Sequence, residues 1–490
     1  MNKLFEKLHN SKIFKNLTKQ EFSWVLYDIG NSAYTMLSCS LIPIWFKNLA
    51  CLYTKDQETE IIAPFVKQFG VKEGNKLAVA TINEAAHAVG KLGQDEATAK
   101  YALIIAIITA IVALIGPICG AIADHKDTKK IFFTTTVAAG VIACIINGFA
   151  TSWVLFLAVY VLAKLFYQAS LTFYDSMLND VTTDERTDEV SSYGYAWGYI
   201  GSCIPFLVAL LAYVAGPDMT GLISESLSKI IGFAVTGAWW WIVTIPLIKN
   251  YKQINYVEGE AGEFLTAIKN AFNKLGSTIK NIFSKDKKVL YFLIAFFLYI
   301  DGVGTIIDNC INLGTDLGLN TVGQVVFLLL TQVVAWLASL VFVQLSKKHD
   351  TVSLLKVCII GYTVVCLYAL SLQHLWQFAV MAFGVGCFQG SIQSLSRSYY
   401  SRIIPDENSG EYFGIYDIFA KGASFLGSFV IWAVKTIGEA TGGVFIIFGL
   451  QIRSINLAIG LLAFFFIVGG LFLVKADKQQ QSIESLKDVR

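Results

Sequence analysis

Ionisable and amide side chains stand inside long apolar stretches of this sequence. The stretch Phe22–Phe46 contains Asp28 and Asn31, and a later stretch contains Asp301 and Asp308. A charged group at the centre of a lipid-crossing helix costs about 2.5–3.5 kcal/mol on insertion scales, so it persists where it faces other helices or water. In a wet interior, such carboxylates can take up a proton, bind a cation or pair with the amine of a solute. We therefore interpret these four residues as candidate substrate or ion contacts.

A second set of polar residues follows the same logic in other apolar stretches. Lys164 lies mid-stretch and could bind a carboxylate, and Asp175 and Gln393 complete the set of candidate substrate or ion contacts. The structural alternative is that Lys164 or Lys421 permanently neutralises a carboxylate and holds helices together, because buried pairs need not enhance stability. The five histidines all lie outside the middle of these stretches. Any proton coupling would then fall to a carboxylate.

A third set of residues has types and positions that suit conformational control. The turn Gly120–Lys130 offers a small residue for close helix approach and Asp124, which can cap a neighbouring helix N-terminus or pair with a cation such as Lys129. Such a contact, broken and remade, would latch one conformation. Further along the chain, Arg397, Asp417 and Lys421 suit either a gating ion-pair network or substrate contact.

Aromatic residues crowd two neighbouring apolar stretches. They are Phe166, Tyr167, Phe173, Tyr174, Tyr193, Tyr195, Trp197 and Tyr199. Such residues could line a pocket for an organic solute, or they could serve packing and the membrane interface belt.

The composition indicates a polytopic helical membrane protein. Of 490 residues, 55% are hydrophobic and only 15% are charged, whereas soluble domains average about 25% charged. The net charge of +2 gives no reason to expect nucleic acid as a partner. The nine cysteines form no CxxC motif and no Cys/His cluster, so we propose no metal and no cofactor.

The apolar pattern predicts twelve transmembrane spans in an all-α protein. They are expected at about 22–47, 101–123, 131–150, 152–178, 190–215, 229–248, 289–313, 321–345, 353–371, 374–400, 412–436 and 454–474. Spans one, four, seven and ten, one in three, carry polar stripes, which favours a central cavity lined by alternate helices. Lysines in the N-terminal segment and in short loops predict that both termini are cytoplasmic.

The spans divide into two pseudo-symmetric six-helix bundles. We predict a cytoplasmic amphipathic segment at 1–21, an N-terminal bundle at 22–248 with an external loop at 48–100, and a C-terminal bundle at 289–474. A basic cytoplasmic linker with an amphipathic helix spans 249–288, and a cytoplasmic tail spans 475–490. An internal echo supports duplication, because an acidic Asp-Glu-x3-Glu motif begins at both Asp184 and Asp406. Parallel halves are typical of secondary transporters.

The sequence resembles two nested families. The segment Gly120–Lys130 is similar to the loop signature of the major facilitator superfamily, although His125 and Asp127 depart from it. The closer resemblance is to the vacuole effluxer family, the autophagy-related amino-acid exporters and their bacterial relatives. It rests on WxxYDIGNSAY at 24–34, FLYIDGV at 297–303 and the residues Arg397, Ser401–Pro405, Glu411–Gly414 and Lys421. Gly30 in place of the usual alanine is a minor departure.

The resemblance implies a secondary active transporter that works by alternating access and exports amino acids, and the buried carboxylates make a proton the candidate coupling ion. Lys164 would face the solute carboxylate and Asp301 its amine. Alternatives are a sugar, drug or organic-anion carrier on the same fold, and a transport-inactive scaffold or receptor. An enzyme is not expected, since no nucleophile, metal cluster or catalytic acid pair stands out. We expect a monomer in a bilayer, in a bacterial plasma membrane given the Lys-, Asn- and Ile-rich composition, or in a vacuolar membrane if the source is eukaryotic.

Overall fold

The structure of this chain is a computed structural model, and helices dominate it. It describes residues 2–11, 14–217, 219–258, 275–316, 321–422, 424–439, 444–447 and 450–488.

The first half of the chain contains eleven described helices. They are α1 Asn2–His9, α2 Lys19–Cys39, α3 Leu41–Ala50, α4 Lys55–Phe69, α5 Val71–Ala88, α6 Gln94–Ala123, α7 Thr128–Asn147, α8 Trp153–Ser176, α9 Leu178–Val181, α10 Thr187–Val214 and α11 Glu225–Asn250.

The second half follows after a connecting helix, α12, described over residues 275–284. Its elements are α13 Lys287–Asp316, α14 Thr321–Leu345, α15 Thr351–Ala369, α16 Leu375–Ile403, a 3-10 turn Asp406–Asn408, α17 Ser409–Gly422, α18 Ser424–Glu439, strands β1 Val444–Ile447 and β2 Leu450–Arg453, α19 Ser454–Leu461 and α20 Ala463–Asp488.

Ten described helices are long and apolar enough to cross a membrane. They coincide with ten of the twelve predicted spans. The first predicted span is less regular, because α2 is rich in polar residues and a break at Ser40 separates it from α3. The eleventh predicted span corresponds to α17 and α18, on either side of residue 423, which lies outside the described residues.

Local chemistry explains where several helices begin. Thr18 accepts a hydrogen bond from the Glu21 backbone N–H, and the Glu21 side chain accepts one from the Thr18 N–H, which forms a capping box at the start of α2. Asp350 likewise caps α15 by accepting from the Ser353 N–H. The start of α2 is thereby fixed, and with it the register that directs Asp28 inward.

The loops differ from expectation in two places. The segment 48–100, predicted as an external loop, contains two helices, α4 and α5. An antiparallel hairpin pairs Val444 with Arg453 and Ile447 with Leu450, a feature that the twelve-helix prediction lacked. Most of the predicted amphipathic linker helix, residues 259–274, lies outside the described residues.

Two apolar cores divide the described chain. One joins buried residues between Phe14 and Tyr251, and the other joins buried residues between Ile282 and Ala476. We call these two parts the N half and the C half. Each half buries its own helix faces, so the surfaces between them are free to be polar.

The halves meet most closely where α6 contacts α17. A Cβ atom on Gly414 would lie 2.3 Å from Pro117 Cα, and one on Gly120 would lie 2.1 Å from the Gly410 carbonyl oxygen. Glycine is required at both positions because no side chain fits between the two backbones.

We predict that Gly414→Ala destabilises this contact. The added methyl group forces α6 and α17 apart, and overpacking of this kind costs about 1–3 kcal/mol. The apparent unfolding temperature of the purified protein in detergent should fall.

Gly276→Ala is the matched control, since a Cβ there meets nothing within 4 Å. That change should leave the unfolding temperature unchanged or raise it, because alanine favours a helix over glycine. Equal unfolding temperatures for the two variants would contradict the close contact at Gly414.

Candidate functional site

A buried arginine joins the two halves. Arg397 on α16 of the C half is only 2% exposed. Its guanidinium lies 3.2 Å from an Asp28 carboxylate oxygen on α2 and 3.0 Å from one of Asp175 on α8, both in the N half. It also donates to the Ser191 hydroxyl and carbonyl oxygens on α10. One cation therefore binds three helices of the opposite half.

Aromatic rings enclose the same guanidinium. Its carbon lies 4.5 Å from the ring centre of Trp24, 4.6 Å from that of Tyr195 and 5.5 Å from that of Tyr174. Cation–π attraction adds about 0.5–2 kcal/mol for a desolvated contact. The planar guanidinium can stack on aromatic rings and bind two carboxylates at once, and a lysine ammonium group could not provide both contacts.

A cavity of about 250 Å³ lies between the halves beside this cluster. Its lining comes from both halves: Asp28, Asn31, Ser32, Thr35, Met36, Tyr167, Leu171, Asp175, Tyr195, Tyr199 and Ser202 from the N half, and Gln332, Gln389, Gln393 and Arg397 from the C half. The volume lies just below the usual range for small-molecule sites, which is about 300 to 1,000 Å³. The cavity thus suits a small polar solute.

The charges in the lining are unequal. Asp28 and Asp175 face a single cation, Arg397, so the ionised cluster carries one excess negative charge. The Asn31 side-chain amide donates to Asp28 at 3.1 Å and holds that carboxylate in place. Asp175 is the more exposed of the two, with 16% of its side chain accessible against 9% for Asp28. It is therefore the freer of the two to exchange partners.

Part of the aromatic set lies at the cavity. Tyr167, Tyr195 and Tyr199 line the cavity, whereas Tyr174 is fully buried and stacks on Trp24. Gln332 on α14 was missed by sequence reasoning. The available signal was an amide side chain in an otherwise apolar stretch.

Lys164 lies beside the cavity rather than in its lining. Its ammonium group donates to the Ser38 hydroxyl at 3.2 Å and lies 5.3 Å from the ring centre of Tyr167. Tyr167 does line the cavity and bonds to Thr35. Lys164 therefore contacts a lining residue, Tyr167, but is not itself part of the lining.

Asp301 is separate from this cavity. Its side chain on α13 is fully buried, and neither carboxylate oxygen has a hydrogen-bond partner among the described residues. The expected pairing of Lys164 and Asp301 across one solute does not fit this arrangement, because Asp301 is enclosed in the C half and neither residue belongs to the lining. The side chains of Asp308 and Lys421 lie outside the described residues.

Asp417 and Gln393 approach the cluster from the C half. Asp417 on α17 accepts a hydrogen bond from Thr172, one helical turn before Asp175 in α8. Gln393 lines the cavity one turn before Arg397 in α16 and donates to the Gln389 carbonyl oxygen.

Asp124, which the sequence predicts as a latch residue, caps a helix of the opposite half. Its two carboxylate oxygens accept from the backbone N–H groups of Gly410 and Glu411 at 2.8 and 2.9 Å, at the start of α17. A carboxylate there is favoured by the helix dipole. Lys129, fully buried, lies 3.6 Å from Asp124 and donates to Ser409.

Further contacts between the halves surround the Asp124 cap. Arg402 pairs with Asp188 at 3.1 Å, and Asn179 donates to Asp406 and to the Ser401 carbonyl oxygen. The two acidic motifs of the internal repeat, which begin at Asp184 and Asp406, lie in this region. Their proximity has an electrostatic consequence, since burial and the charge of Asp406 raise the pKa of Asp184 while Arg402 opposes the shift.

These contacts all close one end of the molecule. Glu21 in the first turn of α2 binds Thr182 and Arg186, next to the Asn179–Asp188 region. The cavity lining on α2 begins at Asp28 and continues to Met36, further along the helix. The halves are thus sealed where α2 begins, with the cavity beyond the seal.

Comparisons with known proteins agree with this architecture. The family described as "Vacuole effluxer Atg22 like" matches residues 17–465. An uncharacterized MFS-type transporter, YxiO of Bacillus subtilis, is 35% identical over 437 residues, which cover 88% of this chain and 92% of the relative. Autophagy-related protein 22 of Kluyveromyces lactis is 24% identical over 52% of this chain and 54% of the relative, about half of its length.

Solved structures show the fold. The human organic anion transporter MFSD10 superposes with a TM-score of 0.62 at 11% identity and covers 93% of this chain and 99% of that one. The proton:xylose symporter XylE gives a TM-score of 0.64 at 10% identity, with coverage of 93% and 95%. The prediction of an all-α membrane protein with the major facilitator fold is therefore confirmed, and its twelve-helix count is consistent with the ten clear spans.

With its family match from residue 17 to 465 and its full-length likeness to a major facilitator transporter, this chain is a multi-pass membrane transporter of the vacuole effluxer Atg22-like family.

Proposed function

We propose that this protein is a secondary active transporter of amino acids or similar small zwitterions. One observation carries the proposal: a buried arginine and two carboxylates from opposite halves line a single small cavity. A zwitterion carries one group that suits the arginine and one that suits a carboxylate. Sugars would need only the amides and hydroxyls of this lining.

The solute would exchange partners with the cluster. Its carboxylate takes the place of Asp175 on Arg397, and the released Asp175 binds the solute amine. Because the ion pairs are exchanged rather than removed, no charge is left buried and unpaired, which would cost several kcal/mol. Asp28, held by Asn31, keeps Arg397 in position during the exchange.

Alternating access would follow from the same contact. We assign the sealed end to the cytoplasm, because the basic amphipathic segment 1–21 precedes α2 there. After the exchange, opening this end requires the Asp124 cap, the Arg402–Asp188 pair and the remaining Arg397–Asp28 pair to separate. The family description points to export, and the buried carboxylates suit a proton as the coupling ion. We also propose that the N-terminal bundle ends at residue 248 and that the C-terminal bundle begins at residue 289.

We predict that Arg397→Lys weakens solute binding and transport. Hydrogen bonds to charged groups contribute about 1.5–3 kcal/mol, so loss of the paired geometry should reduce affinity about 10- to 100-fold. A thermal-shift screen of the wild-type protein with each amino acid identifies the solute, and counterflow in proteoliposomes then measures transport.

Arg453→Lys is the control for this change, since Arg453 donates to the Leu372 carbonyl oxygen, away from the cavity. Its counterflow should match that of wild type. Unchanged counterflow in folded Arg397→Lys would remove the proposed site.

Asp175→Asn should discriminate between the two ends of the solute. The change keeps the side-chain volume and removes one charge, while Arg397 retains Asp28. Binding of an amino acid should weaken, whereas binding of the corresponding carboxylic acid without the amine should not. Titrations of both ligands against the purified variant, followed by intrinsic fluorescence, measure the difference.

Arg397→Lys is the paired variant here and should weaken both ligands alike. Equal losses for the two ligands in Asp175→Asn would contradict the role of Asp175 in binding the amine.

A further inference from the structure

Asp301 is a buried carboxyl group for which the solute site has no use. It lies near the middle of α13 and is fully buried. Neither of its carboxylate oxygens has a hydrogen-bond partner among the described residues, and the same is true of the Thr305 hydroxyl one turn later on the same face. Buried polar groups are nearly always satisfied, so such a pair calls for an explanation.

The surroundings of Asp301 are closely packed. A Cβ on Gly302 would lie 2.6 Å from the Phe466 ring on α20, and a Cβ on Gly427 of α18 would lie 2.1 Å from the Thr305 hydroxyl oxygen. The Gly427 backbone also interacts with the carboxyl group, and this packing leaves little room for a hydrated ion. One carboxyl group and one hydroxyl are also too few oxygen ligands for a metal cation.

No described charged group neutralises Asp301. The charged residues on the helices packed against α13 are Arg397 and Arg402 on α16, Glu411, Asp417 and Lys421 on α17, Lys435 and Glu439 on α18, and Lys475, Asp477, Lys478, Glu484, Lys487 and Asp488 on α20; the side chains of Lys421, of Glu439 and of residues 481–488 lie outside the described part. None of these forms an ion pair with Asp301 in the described part of the chain. Arg397 pairs with Asp28 and Asp175, and Asp477 with Lys356.

We propose that Asp301 carries a proton in this conformation and is the site of the coupling proton, separate from the solute cavity. An ionised carboxylate in a closely packed position, with no cation paired to it among the described residues, is strongly disfavoured, and protonation removes the charge. Release of the proton then requires α13 and α18 to part and admit water. Proton release is thereby tied to a change in helix packing within the C half.

A short path of contacts links this group to the solute site. Tyr299, two residues before Asp301, shares a hydrogen bond of 2.6 Å with Ser396 on α16. Both side chains are buried, and Ser396 adjoins Arg397. Movement of α13 on proton release would therefore shift the segment of α16 that positions the arginine.

Infrared spectroscopy of the purified full-length protein tests the proton directly and needs no solute. The wild-type protein should show the C=O stretch of a protonated carboxylic acid at neutral pH, and Asp301→Asn should lose that component. Asp350→Asn, at the solvent-exposed cap of α15, should retain it.

An absorption of this kind that is equal in wild type and Asp301→Asn would overturn the proposal, since Asp301 would then be ionised. Lys421, whose side chain lies outside the described residues, would be the first partner to examine in that case.

The coupling role rests on the proposed transport function and has its own readout. With a radiolabelled amino-acid mixture in proteoliposomes, Asp301→Asn should lose uptake driven by a pH gradient but retain exchange at equal pH. Loss of both activities or of neither would overturn the coupling role. Absence of transport in wild type would count against the amino-acid proposal alone, because the infrared result stands apart from it.

Discussion

The structure depends on how one buried cation is neutralised. Arg397 has almost no access to solvent, and removal of one partner from a buried ion pair typically costs about 3–5 kcal/mol. Its carboxylate partners, Asp28 and Asp175, lie on the opposite half. The halves cannot separate at this level while both carboxylates hold the arginine. In the proposed mechanism, this requirement couples solute binding at the cluster to helix movement.

The rest of the fold supports that contact without fixing it permanently. Each half has its own apolar core, so relative movement of the halves need not disrupt either core. The contacts that seal one end are a helix cap at Asp124, hydrogen bonds and ion pairs such as Arg402–Asp188, which can break and re-form as units. Glycines at 120 and 414 bring α6 and α17 backbones together there without interlocking side chains.

Much of this arrangement could be predicted from the sequence, because polar residues in apolar helices must face an interior. Asp28, Asn31 and Gln393 lie in the cavity lining for that reason, and Asp124 caps a helix as its position suggested. Periodicity gives the face of a helix but not its partner across the molecule. The sequence alone therefore could not decide whether Arg397 serves gating or substrate contact. It also grouped Lys164 with Asp301, because only three-dimensional packing shows which buried face of a helix lines a cavity.

An experimental structure of the protein with a bound amino acid tests whether the solute carboxylate replaces Asp175 on the Arg397 guanidinium. We predict that the solute carboxylate lies within hydrogen-bonding distance of Arg397, with Asp175 turned toward the amine and Asp28 still paired. A solute bound in the cavity while Arg397 retains both carboxylates, or a solute bound away from Arg397, would contradict it.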